Sequence, residues 1–198
     1  YTTLFRSARP DWAALATVNA AWAAAHGGEY GFSMGRFDPA YCAGQQVVVA
    51  RQGERVVGFA TFHMATISGK GGWTLDLLRP APAAPEGTAQ LLVTAGIAAA
   101  QADGATRLSL AAVPIGSAVG ELGAVARLGR RLAPGAMPGL QQFKAGFAPE
   151  WRRLYIVAPS RLALALVGWE IWCAVRGAAA PKMRRSARRD AEYEFASA

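Results

Sequence analysis

Apolar residues recur at helical spacing over Asp11–Ala25, and this pattern predicts a first helix. The large members of the apolar stripe are Trp12, Leu15, Val18 and Trp22. Asp11 follows Pro10 as a candidate N-cap, and Gly27 with Gly28 would end the helix.

A different pattern follows, in which β-branched and aromatic residues form short runs that are typical of strands. Gln46–Arg51 and Arg55–Met64 are two such runs, and the intervening Gln52-Gly53-Glu54 predicts a hairpin. Trp73–Leu78 and Thr106–Val113 are predicted as a third and a fourth strand.

Between and after these strands the helical period returns. A long helix is predicted from Glu86 to about Ala102, closed by Asp103-Gly104. The remaining predicted elements are helices over Gly120–Leu132 and Leu140–Phe147, a last strand over Arg152–Ala158, and a final helix over Arg161–Val175.

This order of elements is typical of an α/β domain with one central mixed sheet flanked by helices. It resembles the Gcn5-related N-acetyltransferase fold, in which the donor binds where two central strands separate. The resemblance places that point between Trp73–Leu78 and Thr106–Val113.

Three regions follow from the pattern. Residues 1–30 hold the first helix, and Tyr1–Ser7, which match no predicted element, are a candidate foreign leader. Residues 31–158 form the acetyltransferase-like domain, and residues 159–198 hold an amphipathic helix and a basic tail. No stretch reaches the roughly 18 to 20 apolar residues that a membrane-spanning helix needs.

Composition narrows the classes of function. The chain is 53% hydrophobic and 17% charged, which excludes a disordered tail, and its net charge of +8 favours polyanionic partners. Part of that charge lies in the tail, at Lys182, Arg184, Arg185, Arg188 and Arg189. The two cysteines and two histidines have no zinc-binding spacing, so no metal is expected, and a reducing cytosol is the simplest compartment.

Two places carry candidate chemistry. Asp76 lies inside an apolar strand, and Arg79 stands at the end of that strand. Because a buried charge needs a partner, Asp76 is a candidate functional carboxylate. The alternatives are that it forms a structural ion pair or that it lies on a solvent-exposed face of the strand. Because successive side chains of a strand point to opposite faces, Thr74, Asp76 and Leu78 are predicted on one face and Arg79 on the other. Arg79 would therefore reach Asp76 only if the chain bends back at the end of the strand. Lys144 lies between aromatic residues on a short helix, where its cation could bind a phosphate or an oxyanion. The alternative is that Lys144 simply lies on a solvated face of that helix.

Other signatures are absent from the sequence. No serine lies in a nucleophile elbow, no phosphate-binding glycine loop occurs, and His63 is interpreted as a structural strand residue. Three prolines replace the Gly-x-Gly turn that acyl-CoA-using acetyltransferases place after the corresponding strand, which argues against acyl-CoA as the donor.

Four segments in matching order resemble the C-terminal catalytic domain of phosphatidylglycerol lysyltransferases, the multiple peptide resistance factors. They are GFSMGRFD (Gly31–Asp38), the hairpin ending in GFATF, DLLRPAPAAPEGT (Asp76–Thr88) and QFKAGFAPEWRRLYIV (Gln142–Val157). Asp76-Leu77-Leu78-Arg79 follows the family's Asp-Leu-Met-Arg motif, and Phe143-Lys144 follows its Phe-Lys motif. In the family this domain is the second of a tandem pair behind a multi-helix membrane domain.

The resemblance implies transfer of an aminoacyl group, lysyl or similar, from aminoacyl-tRNA to the glycerol hydroxyl of phosphatidylglycerol, without a cofactor. Asp76 would anchor the donor's α-ammonium or accept the hydroxyl proton. Arg79 and Lys144 would hold phosphate and stabilise the oxyanion, and Glu86 is a further candidate for recognising the amino acid. Which amino acid is transferred stays open.

The same resemblance implies a place on the cytoplasmic face of the bacterial inner membrane and a role in resistance to cationic peptides. The final helix and the basic tail would contact the anionic membrane or another polyanion; the alternative is a helix packed on the core. Two other functions stay open: an acyl-CoA-dependent N-acetyltransferase, and a non-catalytic module that binds tRNA or anionic membrane.

Overall fold

The computed structural model describes residues 2–6, 10–29, 35–67, 70–113, 138–155 and 157–176. Five strands form one sheet in the order β1-β2-β3-β4-β5. The strands are β1 (Thr2–Arg6), β2 (Gln46–Gln52), β3 (Arg55–Ile67), β4 (Lys70–Pro80) and β5 (Arg107–Ser109). The helices are α1 (Trp12–His26), α2 (Pro39–Cys42), α3 (Thr88–Ala102), α4 (Pro138–Ala145) and α5 (Arg161–Arg176).

The sheet is mixed, as the sequence predicts. β1 to β4 pair with their neighbours in antiparallel fashion, whereas β5 pairs with β4 in parallel. The predicted β2-β3 hairpin is confirmed, and Gly53 adopts a φ of 59° in its turn, a conformation that glycine reaches without a steric penalty.

β1 corrects the prediction that the first residues lie outside the fold. Thr2–Arg6 pairs with β2 over five residues, from Thr2 opposite Gln52 to Arg6 opposite Val48. Five residues carry too short a pattern to predict a strand alone, so the pairing depends on the open edge of β2.

The first helix begins and ends as predicted. The Asp11 side chain accepts a hydrogen bond from the Ala14 backbone N–H at 3.1 Å, and Gly27 closes the helix with a φ of 78°. Both features satisfy backbone groups that a helix terminus leaves unpaired.

The core has two layers, one on each face of the sheet. α3 covers one face, where Leu92 and Val93 pack with strand residues such as Phe62 and Leu75. α1 covers the other face, where Leu15 and Val18 join a second set of buried residues: Cys42, Val47, Val49, Val56, Phe59 and Leu77.

The later elements differ in part from the prediction. β5 is only three residues long, and Arg152–Ala158 forms no strand over its described residues. Within the described part of the sheet, β5 is the last strand, and Leu154 and Val157 remain 81% and 91% exposed. Over its described residues this apolar run pairs with no described strand, and a strand requires such a paired neighbour.

The two last described helices are confirmed as α4 and α5, and the predicted helix over Gly120–Leu132 lies outside the described residues. Among the helices described, none combines the length and the apolar character needed to cross a bilayer.

Candidate functional site

A β-bulge in β4 determines where Asp76 points. Thr61 of β3 lies opposite Leu77 and Phe62 lies opposite Leu75, so Asp76 is the extra residue with no opposite partner. A bulge of this kind interrupts the alternation of side chains along a strand.

The interruption changes the predicted faces of β4. An added β-carbon at Gly35 would meet both Asp76 and Leu77, and the carbonyl of Gly35 accepts a hydrogen bond from Arg79. Asp76, Leu77 and Arg79 therefore lie on the same side of the sheet. Leu78 packs with the layer that contains α3, so the prediction that Asp76 shares a face with Leu78 was wrong, because simple alternation does not hold across a bulge. Thr74 lies opposite His63, which contacts Asp76, so Thr74 and Asp76 do share a face as predicted.

The Asp76 carboxylate contacts a side-chain amide and an imidazole. Its Oδ2 accepts a hydrogen bond from Gln45 Nε2 at 3.0 Å and lies 3.5 Å from His63 Nε2. Its side chain is only 11% exposed. Within the described part of the chain this carboxylate lies next to Gln45 and His63 and forms no ion pair with Arg79, so the alternative of an Asp76–Arg79 ion pair does not describe it.

Tyr41 and His63 complete this cluster at the surface. The Tyr41 hydroxyl lies 2.9 Å from His63 Nε2, and the two rings meet edge to face at 5.6 Å. Burial raises the pKa of Tyr41 above its ordinary value, and the Asp76 charge raises it further. The sequence analysis interpreted His63 as structural and did not single out Tyr41; no spacing connects two residues that lie 22 positions apart.

Arg79 is buried and its donors are engaged. Nε donates to Asn19 Oδ1 at 3.1 Å, and Nη2 lies 3.4 Å from both Glu29 Oε1 and the Gly35 carbonyl. The guanidinium carbon lies 3.7 Å from the centre of the Trp22 ring. Arg79 thus joins α1 to the segments around residues 29 and 35.

Burial lowers the pKa of Arg79, and the neighbouring Glu29 acts in the opposite direction. Such a guanidinium stays charged in a protein. The buried charge is therefore compensated by Glu29, Asn19 and the aromatic face of Trp22.

Lys144 lies at a separate position. Its Nζ donates to the carbonyls of Ala112 and Ala111 at 3.0 Å and 3.2 Å, and the residue is 6% exposed. Ala111 has a φ of 60°, which is unusual for a residue with a β-carbon. Burial lowers the pKa of Lys144.

These contacts show that Lys144 does not lie on a solvated helix face. Phe143 and Phe147, on either side of it, pack against the core layer that contains α3. Its hydrogen bonds reach the segment after β5, whereas Asp76 and Arg79 face the α1 side of the sheet. The described contacts therefore bring Asp76 and Arg79 to one wall and leave Lys144 on another.

β4 and β5 separate early along the sheet. They pair only over Gly72–Thr74 and Arg107–Ser109, and from there to Pro80 β4 is paired with β3 alone. This early separation is the feature expected from the resemblance to the acetyltransferase fold.

The other predicted residues lie farther out. Glu86 is exposed in the loop before α3, which begins after Gly87 at a φ of 82°. The predicted tail residues Lys182, Arg184, Arg185, Arg188 and Arg189 lie outside the described residues.

Comparison with solved structures supports the fold. The chain is similar to the C-terminal DUF2156 domain of an Agrobacterium fabrum protein assigned as a lysylphosphatidylglycerol synthetase, with 26% identity and a TM-score of 0.71 over 89% of this chain and 55% of that one. It is similar to L-PGS from Bacillus licheniformis, with 20% identity and a TM-score of 0.66 over 88% and 54% of the two chains. The chain thus spans about half the length of both structures.

An aminoglycoside acetyltransferase from an uncultured soil metagenomic sample is also similar, with 14% identity and a TM-score of 0.51. That match covers 81% of this chain and 99% of the acetyltransferase. It confirms the predicted acetyltransferase-like fold.

No curated protein sequence matches the chain. The sequence profile described as "phosphatidylglycerol lysyltransferase, C-terminal" matches residues 2–158, which include β1, the bulge at Asp76 and Lys144. The chain therefore belongs to the C-terminal domain family of the phosphatidylglycerol lysyltransferases, which are transferases.

Proposed function

We propose that this chain carries the domain that transfers an aminoacyl group, lysyl or similar, from aminoacyl-tRNA to the glycerol hydroxyl of phosphatidylglycerol. The observation that carries the proposal is the buried carboxylate of Asp76, which stands at the first position of the family motif within the matched residues. A carboxylate kept inside an apolar strand needs a compensating role, and here a bulge turns it toward Gln45 and His63.

The reaction makes limited demands on the protein. The aminoacyl ester of tRNA is already activated, so transfer needs two oriented substrates, one managed proton and a stabilised tetrahedral oxyanion. The cluster around Asp76 supplies an anion and an imidazole, and Lys144, which is bound to the segment after β5, supplies a cation.

Asp76 receives either the α-ammonium of the donor or the proton of the attacking hydroxyl. The neighbouring Gln45 Oε1 is buried and, among the described residues, has no hydrogen-bond partner. A substrate group that donates a hydrogen bond to this oxygen would satisfy a buried acceptor that is shielded from water. A substrate ammonium beside Asp76 has this property.

Arg79 and Lys144 act in different ways in this proposal. Because the Arg79 donors already bind Asn19, Glu29 and Gly35, we assign it to positioning the wall that carries Asp76. An ammonium has three donors, and Lys144 uses two of them on backbone carbonyls. Among the described residues the third has no acceptor, and it would bind a substrate phosphate or the oxyanion. Glu86 remains a proposed contact to the amino acid.

The membrane contact is proposed for the surface beyond Trp151. Leu154, Tyr155, Leu162 and Trp169 are 81%, 76%, 71% and 60% exposed. Apolar side chains interspersed with arginines suit the surface of an anionic bilayer. This contact, together with the family's membrane domain, would place the reaction at the cytoplasmic face of the inner membrane, where added lysine reduces negative charge and binding of cationic peptides.

The proposal is tested with the purified complete protein, phosphatidylglycerol vesicles and tRNA charged with radiolabelled lysine or alanine. We expect label to move from tRNA into the lipid phase for one of these donors. Failure with both, together with transfer from labelled acetyl-CoA to an amine acceptor, would instead support the acetyltransferase alternative.

A further inference from the structure

His63 occupies a position from which it can take up a proton. Its side chain is 46% exposed, while Asp76 behind it is 11% exposed. The imidazole therefore lies between the buried carboxylate and the surface. Asp76 and Tyr41 both lie next to the same nitrogen, Nε2, at 3.5 Å and 2.9 Å.

The neighbours of Nε2 indicate which nitrogen carries the proton. A lone pair on Nε2 would face the negative charge of Asp76, which is unfavourable, whereas an Nε2–H can donate toward the Tyr41 hydroxyl. The Tyr41 hydroxyl in turn interacts with the Asp76 carboxylate, and this interaction raises the pKa of Tyr41. The proton on Nε2 leaves Nδ1 as the free acceptor; among the described residues Nδ1 forms no hydrogen bond.

We propose that His63 Nδ1 is the general base for the attacking hydroxyl, with Tyr41 as a positioning residue. The inference rests on the proposed aminoacyl transfer and names the acceptor of its proton. As the hydroxyl oxygen forms its bond to the ester carbonyl carbon, its proton moves to Nδ1. When the bond between the carbonyl carbon and the tRNA ribose oxygen breaks, that oxygen receives the proton from Nδ1, so the tRNA leaves with a free hydroxyl and His63 ends neutral.

Asp76 stabilises the transient imidazolium. Its Oδ2 lies 3.5 Å from Nε2, and Gln45 holds the same oxygen at 3.0 Å. Tyr41 from α2 and Asp76 from β4 are the titratable groups that contact His63 in the described part of the chain, and both stabilise an Nε2–H. This arrangement uses an exposed base oriented by a buried carboxylate, as many acyl-transfer sites do.

The test is steady-state kinetics of the complete protein with charged tRNA and phosphatidylglycerol vesicles. We expect His63→Ala and His63→Gln to lower kcat by about 100-fold or more while the KM values for both substrates change little. Added imidazole should restore part of the activity of His63→Ala. Because His63→Gln keeps a polar side chain of similar length, it serves if the smaller variant fails to fold.

Tyr41→Phe tests positioning. We expect it to lower kcat with unchanged KM values, and to cause no further loss in the His63→Ala background, since positioning matters only while the base is present. The matched control is His26→Gln, which changes the chain's other histidine at the exposed end of α1 and should retain wild-type turnover.

The outcomes separate the two proposals. A wild-type protein that transfers aminoacyl groups, together with His63 variants of nearly normal kcat, would overturn the inference and leave the proposed function standing. A wild-type protein that transfers to no lipid would overturn both.

Discussion

Gly35 lies so close to Asp76 that a β-carbon at position 35 would come within 2.8 Å of the Asp76 carboxylate carbon. The same added carbon would lie 2.9 Å from a methyl carbon of Leu77. The segment around Gly35 therefore packs directly on the bulge that directs Asp76, and it packs there only because residue 35 has no side chain.

Gly35→Ala should displace the Asp76 carboxylate. We expect a loss of about 1–3 kcal/mol of unfolding free energy from overpacking, and at least tenfold slower aminoacyl transfer because the carboxylate moves. Denaturant unfolding and the transfer assay measure the two effects. Gly44→Ala is the matched control, since a β-carbon there meets nothing within 4 Å; equal behaviour of the two variants would contradict this packing.

Arg79→Lys tests whether the guanidinium positions the wall. Lysine cannot reproduce both the Nε bond to Asn19 and the flat contact on Trp22. We expect a loss of about 1–3 kcal/mol of unfolding free energy and lower transfer activity. The exposed Arg55→Lys is the control and should change neither quantity. An Arg79→Lys protein of wild-type stability would show that the contacts of Arg79 contribute little.

The burial of Lys144 should make the free energy of unfolding depend on pH in the alkaline range. Its pKa in the folded protein is lowered from 10.5 by burial, so between the lowered pKa and 10.5 the unfolded chain binds more protons than the folded one. The free energy of unfolding therefore rises with pH through this window, relative to a variant without the group. Below the folded pKa both states are protonated and the cost of burying the charge is at its full value.

Urea unfolding of the wild type and of Lys144→Met, from about pH 7 to about pH 10.5, measures this difference. Tyr41 and Cys42, whose pKa values are raised by burial, lower stability at alkaline pH in both proteins, so only the difference between the proteins reports on Lys144. A difference that does not rise with pH would contradict the burial of this ammonium.

The sequence predicted the elements with strong periods or clear end signals. The β2-β3 hairpin, α1 with its Asp11 cap, and α3 closed by Asp103-Gly104 all formed where they were expected. Each is determined by local residues: a turn glycine, a capping carboxylate or a stripe of apolar side chains.

The features that the sequence missed depend on distant parts of the chain. β1 forms by pairing with the free edge of β2. The bulge at Asp76 is a shift in register between β3 and β4. Residues 152–158 show the converse, since an apolar run did not form a strand over its described positions. The partnership of His63 with Asp76 follows from the same pairing of β3 with β4 and could not be read from either segment alone.

Lipid analysis of living cells tests the central claim most directly. The complete protein, its Asp76→Ala variant and a control variant at the exposed Glu54, Glu54→Gln, would each be expressed in a bacterium that lacks aminoacylated lipids. Mass spectrometry of the lipid extracts should show aminoacyl-phosphatidylglycerol with the wild type and with Glu54→Gln, and none with Asp76→Ala. Equal amounts of the product with and without the Asp76 carboxylate would contradict the role of this residue, and its absence from all three would contradict the proposed transfer.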